Sequence, residues 1–310
     1  MALTVYRDWQ AIPAEGRGAA VALGNLDGVH RGHAHLIATL HKARPDLPLG
    51  VLTFEPHPRA LFRPQDPPFR LSHPAERDAA LAALGVRFVY ALPFDASFAA
   101  MDAPDFVRQV LHEGLGAKHL ACGADFGFGR RRGGDIGLLA AEAERLGIGL
   151  TVVPALGDAR GPFSSTRVRR ELLDGYPERA AELLGRPWSV RGEVIHGDKR
   201  GRQLGFPTAN IALGEHVEPA RGVYAVRVTL PDGRVIPGVA NIGRRPTIAD
   251  GTQSRLEVHL FDFDDDLYGQ ELTVSLIAML RPETRFASLD ELRAQIARDS
   301  AAARALLENR

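Results

Sequence analysis

His30 and His33 stand on one turn of the segment Gly24-Asn25-Leu26-Asp27-Gly28-Val29-His30-Arg31-Gly32-His33. Glycines let a backbone approach a ligand closely, and the N–H groups at a helix start are ready donors to phosphate oxygens. Imidazoles placed there can stabilise charge building on a phosphorus under attack, where catalysis of phosphoryl and nucleotidyl transfer chiefly lies. The pattern alone leaves the choice open. A helix cap carrying two exposed histidines fits about as well, and a metal site lacks a nearby third ligand.

Ser164-Ser165-Thr166-Arg167-Val168-Arg169 opens a helix that Gly175 ends. Hydroxyls at a helix start and basic residues in its first turns make an anion cradle. An ordinary N-cap explains the hydroxyls but leaves arginines unfavourably near the positive end of the helix dipole, a cost that a bound anion would offset.

Another phosphate-type segment runs from His196 to Asn210, with Gly197, Lys199, Arg200, Gly201, Arg202 and Gly205 ahead of Phe206-Pro207-Thr208-Ala209-Asn210. Glycines and basic side chains in a short loop suit a polyphosphate, although the order is not that of a P-loop and a solvated hairpin would look similar. Thr208 and Asn210 offer oxygens to a hard cation such as Mg²⁺. In Arg255-Leu256-Glu257-Val258-His259-Leu260, alternation puts Glu257 and His259 opposite the apolar face. A lone glutamate on a strand is ordinarily solvated; one within reach of an alcohol would serve as a general base. Asp262, Asp264, Asp265 and Asp266 read as a solvated loop rather than a metal site.

The elements that must hold these residues fall into two grammars. Strand-like stretches at 19–24, 50–54, 86–92, 118–123 and 150–153 alternate with helical stretches at 32–42, 75–84, 102–114 and 136–146. That order predicts right-handed crossovers and a parallel sheet covered on both faces, a Rossmann-like α/β domain whose ligands sit beyond the carboxyl ends of the strands. After Arg186-Pro187, period-two runs at 189–195, 223–229, 235–242, 255–262 and 271–279 predict a small antiparallel β-barrel, with Pro231-Asp232-Gly233 as a hairpin turn. A helix at 288–307, opened by a capping box of Ser288 and Glu291, ends the chain. The boundary is expected between about 175 and 188, giving domains 1–182 and 183–310.

Composition narrows the function classes. With 310 residues, 45% of them hydrophobic, each half can bury a core. The 38 basic and 38 acidic side chains cancel, which argues against a nucleic-acid coat or a binder of anionic membranes and leaves small phosphorylated ligands open. Cys122 is the lone cysteine, so an intramolecular disulfide is impossible, and its apolar neighbours suggest an inert core thiol. The first residues lack the basic start and apolar run of a signal peptide, and no segment has the length of a membrane span, so a cytoplasmic location is expected. Oligomeric state is not legible.

Taken in order, GNLDGVHRGH, Thr53-Phe54-Glu55-Pro56-His57-Pro58, Gly123-Ala124-Asp125-Phe126-Gly127-Phe128-Gly129 and SSTRVR resemble the nucleotidyltransferase module of bacterial bifunctional riboflavin kinase/FAD synthetases. GFPTAN, LEVHLFDFDDDLYG and LRPETRFASLDEL resemble the riboflavin kinase module of the same family. The resemblance covers about residues 20–295 and implies an enzyme that phosphorylates riboflavin to FMN and transfers an adenylyl group from ATP to FMN, giving FAD and pyrophosphate. It implies that His30 and His33 assist attack on the α-phosphate, and that Gly24, Asn25, Asp27, Gly28, Ser164, Ser165, Thr166 and Arg169 join them in holding ATP. Phe54, Pro56, His57, Pro58, Asp125 and Phe128 would line the flavin side. In the kinase half it implies ATP at Gly197, Lys199, Gly201, Gly205, Pro207, Thr208 and Asn210, Mg²⁺ at Thr208 and Asn210, and Glu257 as the base for the ribityl 5′-hydroxyl. Leu26 stands where the family commonly has phenylalanine, which implies a packing change. An adenylyltransferase with another acceptor would not need the GFPTAN module. A flavin-binding regulator without catalysis would not need His30, His33 and Glu257.

Overall fold

The computed structural model describes residues 2–196, 205–247 and 251–308, with the backbone alone for 244–247 and 251–253. The chain divides into two compact units, Met1–Asp66 with Pro74–Phe163, and Pro67–His73 with Ser164–Arg310.

The first unit runs β1 (Thr4–Tyr6), β2 (Ala20–Leu23), α1 (Arg31–Ala43), β3 (Leu49–Phe54), α2 (Pro58–Phe62), α3 (Pro74–Ala83), β4 (Phe88–Leu92), α4 (Ala96–Ala99), α5 (Ala103–Asp105), β5 (His119–Gly123), α6 (Ile136–Arg145) and β6 (Gly149–Val153). A small hairpin of β7 (Gly157–Asp158) and β8 (Gly161–Pro162) follows. The main sheet has the order β1-β4-β3-β2-β5-β6 with every pair parallel. Both faces are covered, as near-continuous apolar strands require. Leu36, Ile37 and Leu40 of α1 and Leu81 of α3 pack on one face. Phe106, Val110, Leu111 and Leu139 pack on the other. The helix expected at 102–114 is present as α5 and a wide π-helical stretch, Phe106–Gly114. β1, only three residues long, gives too short a pattern for periodicity to reveal; its pairing with β4 defines it.

Cys122 sits in the core of this unit. Burial, with the Asp125 carboxylate adding to it, pushes its thiol up to about 11, so it holds almost no thiolate at neutral pH.

The second unit contains α7 (Ser165–Leu173), α8 (Pro177–Leu184), β9 (Trp188–Ile195), β10 (Ala209–Ala212), β11 (Gly222–Thr229), β12 (Val235–Thr247), β13 (Gly251–Leu260), β14 (Glu271–Pro282) and α9 (Leu289–Glu308). The strands close a barrel in the order β10-β13-β12-β11-β14-β9, completed by antiparallel pairing of β10 with β9. Val190, Ile211, Tyr224, Leu256, Val258 and Val274 are all fully buried and fill it. Ala303 and Leu307 of α9 pack outside on Val223, Ala225, Val239 and Ile277. A two-pronged ion pair from Arg281 to the buried Asp299 (2.8 Å from Nη2 to Oδ2) ties α9 to β14, and Gln295 Nε2 donates to the same carboxylate. The 231–233 turn forms with Gly233 at φ 87°, and Gly233 N donates to Leu230 O. At the start of α9, Ser288 Oγ accepts from Glu291 N, while the Glu291 carboxylate accepts from Ala287 N, one residue outside the usual box. Among the described residues no helix is long and apolar enough to cross a membrane.

Candidate active sites

In the first unit β2 and β5 lie side by side, and the sheet is built outward from them in opposite directions. Loops leaving neighbouring strands at such a switch point diverge and leave a crevice at the carboxyl ends. The loop from Gly24 to His30 follows β2, and that from Gly123 to Gly129 follows β5. The first loop is strained: Leu26 (φ 48°) and Val29 (φ 42°) both adopt left-handed backbone, and both are buried. For a β-branched residue such as Val29 this conformation costs on the order of 1–3 kcal/mol, and such strain tends to collect at functional sites. Packing over-determines the loop. Leu26 is embedded in the core beneath α1, and Thr53 Oγ1 donates to Asn25 O at 2.9 Å. Asp27 is buried in the same turn.

His30 is the N-cap of α1, its Nδ1 accepting from Gly32 N (3.1 Å) and His33 N (3.3 Å). An acceptor Nδ1 carries no proton, which assigns the neutral ring's N–H to Nε2. The cap reading and the functional reading are therefore compatible, since one nitrogen builds the helix and the other is a donor. His33 stacks on His30 with centroids 3.6 Å apart, and its Nδ1 is buried without a hydrogen-bond partner among the described residues. Burial first, and then the neighbouring His30, hold the His33 pKa well below the ordinary histidine value. The unfolded chain takes up this proton near pH 6.5 while the folded ring does not. Stability is therefore unimpaired above that pH and is lost as pH falls from about 6.5 toward the folded value. Urea midpoints measured between about pH 7.5 and 5 should fall more steeply for the parent chain than for His33→Gln. Equal slopes would contradict a His33 that stays neutral in the folded chain.

The residues assigned to the flavin side are dispersed in role. Phe54 makes edge contacts with Phe94 (5.1 Å) and Phe98 (5.3 Å), and Phe98 continues through Phe106 to Phe128. Phe128 is a core residue, with the more exposed Phe126 stacked on it at 5.6 Å. Phe62, 65% exposed, touches Phe94 at the other end of this run of rings. Sequence reasoning missed Phe62, Phe94 and Phe98, because separated phenylalanines carry no spacing signal until the loops fold together. His57 caps α2 through Nδ1, accepting from Arg59 N; Pro56 follows a cis peptide bond, Pro58 is the first residue of α2, and Asp125 is exposed. Glu55 pairs with the buried Arg77 of α3 at 2.5 Å, fixing this loop from behind.

In the second unit Ser164 Oγ caps α7 by accepting from Arg167 N at 3.2 Å. Ser165 is the first helical residue and Thr166 is exposed. Arg169 Nε donates to Phe69 O at 2.6 Å, so a protein acceptor offsets part of the dipole cost that an anion had seemed to be needed for.

On the barrel, direct pairing aligns Asn210 of β10 with Glu257 of β13, and Glu257 with Asn241 of β12. Opposed residues share a face, so the three form one row on the outside, opposite the apolar face of Leu256 and Val258. Asn210 is 4% exposed; its Nδ2 donates to Thr208 O (3.4 Å), and its Oδ1 is buried with no partner among the described residues. Arg255, two residues before Glu257, lies on the same face and is paired in register with Gly243. A Cβ at Gly243 would sit 3.0 Å from Glu283 Oε1 and 3.2 Å from Asn241 Nδ2, so Glu283 and Asn241 crowd that spot. Asn241 was not legible in the sequence, because barrel register, not spacing, brings it beside Glu257. His259 Nδ1 donates to Pro207 O at 2.9 Å and its ring meets Phe206 edge-on at 5.5 Å, which docks the GFPTAN turn on β13. Gly205, exposed with φ 87°, begins that turn. Gly197, Lys199 and Gly201 lie outside the described residues. Asp262, in the acidic segment, pairs with Arg304 at 2.7 Å, and no group of three or more His, Cys, Asp or Glu side chains suited to a metal occurs among the described residues.

Comparison with known proteins matches both halves. Residues 12–167 fit the family model for FAD synthetase, and 184–307 fit that for riboflavin kinase. A bifunctional riboflavin kinase/FMN adenylyltransferase of Escherichia coli K12 is 45% identical over 93% of this chain and 92% of its own length. One of Pseudomonas fluorescens is 44% identical over 98% of each. A crystal structure described as a macrolide-efflux protein from Streptococcus pneumoniae aligns with TM-score 0.87 and 33% identity, covering 98% of this chain and 99% of that one. With two family models in sequence order and full-length relatives at this identity, the chain belongs to the family of bifunctional riboflavin kinase/FMN adenylyltransferases.

Proposed function

We propose that this chain, placed in the cytoplasm, makes FMN at the outer face of its barrel and FAD with the switch-point loops of its sheet. The observation that carries the reading is the row Asn210–Glu257–Asn241 beside the docked GFPTAN turn, a carboxylate adjoining a buried carbonyl oxygen that lacks a partner among the described residues. In the kinase reaction Glu257 takes the proton of the ribityl 5′-hydroxyl as its oxygen bonds to the γ-phosphorus of ATP and the bond to the β-phosphate oxygen breaks, releasing ADP. A hard cation fits this face, because Asn210 Oδ1 and the Thr208 hydroxyl are neutral oxygen donors of the kind Mg²⁺ accepts beside substrate phosphates. Mg²⁺, when bound, supplies neutralisation of charge on the transferring phosphates. In adenylyl transfer an FMN phosphate oxygen attacks the α-phosphorus of ATP and pyrophosphate leaves. The His30 Nε2–H and His33 hold that centre, Gly24 to Gly28 give it close backbone, and Ser165, Thr166 and Arg169 take the polyphosphate. Phe62 and the ring run leading to Phe128 offer an aromatic platform for the flavin.

A time course with riboflavin, ATP and Mg²⁺ tests the reading. FMN should accumulate first and FAD should follow; absence of both products from folded protein would overturn it.

A further inference from the structure

The segment Pro67–His73 lies in sequence between α2 and α3 of the first unit, yet it packs within the second. It is built in rather than draped. Arg70 N donates to Glu215 O (3.0 Å) and Val217 N donates back to Arg70 O (2.8 Å), a short parallel bridge. Arg70 Nε pairs with Glu215 at 3.0 Å. Trp188, the first residue of β9, donates its indole N–H to Leu71 O at 2.8 Å, and both residues are 2% exposed. His216 stands edge-on to the Trp188 ring at 6.1 Å, its own Nδ1 held by Leu213 O. One residue before this anchor, Phe69 grips Arg169: its carbonyl accepts from Nε at 2.6 Å and its ring lies 5.6 Å from the guanidinium carbon.

We propose that Pro67–His73 is a positioning strap for adenylyl transfer, anchored on the barrel by Trp188 and the 215–217 edge, with Phe69 setting the orientation of the Arg169 guanidinium. This rests on the reading above that Arg169 takes the ATP polyphosphate. A guanidinium is a rigid planar fork on a long, rotamer-rich stem, so a bond at Nε and a ring against its face fix the plane in which the remaining donors lie. Donors fixed before the substrate arrives need no reorganisation as charge develops, which is where their catalytic worth comes from. Phe69 and Trp188 are then positioning residues for the adenylyl transfer, although Trp188 is a strand residue of the kinase barrel. If the strap only sealed the end of the barrel, its loss would be felt by the barrel and by the kinase reaction.

The two activities of one molecule separate these outcomes. Trp188→Phe keeps an aromatic ring and removes the N–H that Leu71 accepts. It should raise KM for ATP in FMN adenylylation about three- to tenfold, the range of one net hydrogen bond, with the kinase kcat and KM unchanged. A parallel fall in both activities, or no change in KM for ATP, would overturn the strap. Should Trp188→Phe fail to fold, the same selective rise is required of Phe69→Leu, which takes only the ring from Arg169. Arg169→Ala is the reference. If it leaves KM for ATP unchanged, the reading of Arg169 fails; if it raises KM while the strap variants do not, the strap fails alone.

Discussion

Replacing Glu257 by glutamine should stop FMN formation from riboflavin while FAD formation from supplied FMN continues. Glutamine keeps the side chain's length and its place in the row with Asn210 and Asn241, so the β10–β13–β12 pairing survives. What it cannot do is accept a proton from the ribityl hydroxyl. A positioned general base is worth about 10²–10⁴ in rate, and the kinase kcat should fall by that factor. KM for ATP should move little, because the change removes a group that acts on the alcohol rather than on the nucleotide. A kcat within about threefold of the parent would remove Glu257 from the role.

The second large effect is expected at His30. Alanine there would confound two losses, since His30 both caps α1 and donates from Nε2. Asparagine separates them. Its side-chain oxygen is among the best N-caps, so Gly32 N and His33 N keep an acceptor. No donor then remains at the position of Nε2. Removing one preorganised donor from a developing oxyanion costs about 10²–10³ in kcat, and His30→Asn should lose FAD formation by that factor while making FMN at the parent rate. His33→Ala should act in the same direction. A His30→Asn chain that kept FAD synthesis would reduce the histidine to its cap. Loss of helix and activity together, followed by circular dichroism, would contradict the separation of the two nitrogens.

How much of this was legible in the sequence differs by link. Period and punctuation were enough for α1, β3, α6 and the barrel strands other than β10, because each has a buried face of several residues. The parallel sheet, the closed barrel and the terminal helix follow from those patterns together. β1 and β10 did not stand out, being too short to carry a period. At the sites, residues contiguous in sequence were found, and residues contiguous only in space were not. His30 and His33 share a turn and were visible; Asn241 meets Glu257 through register and was hidden. The Phe54–Phe94–Phe98 contacts were hidden for the same reason. Arg169 shows a further limit. A basic residue near a helix N-terminus pointed to an anion, and the carbonyl of Phe69, far away in sequence, turned out to be a partner.

The central claim is that two chemistries reside in two independent sets of side chains on one chain. Mixing the two disabled proteins, Glu257→Gln and His30→Asn, with riboflavin, ATP and Mg²⁺ tests it most directly. Neither should make FAD from riboflavin at an appreciable rate alone: the first stalls at riboflavin and the second at FMN. Together they should make FAD, because FMN released by one is adenylylated by the other. A mixture that yields no FAD, although each variant is folded and keeps its remaining activity, would contradict an account in which the two sites work independently.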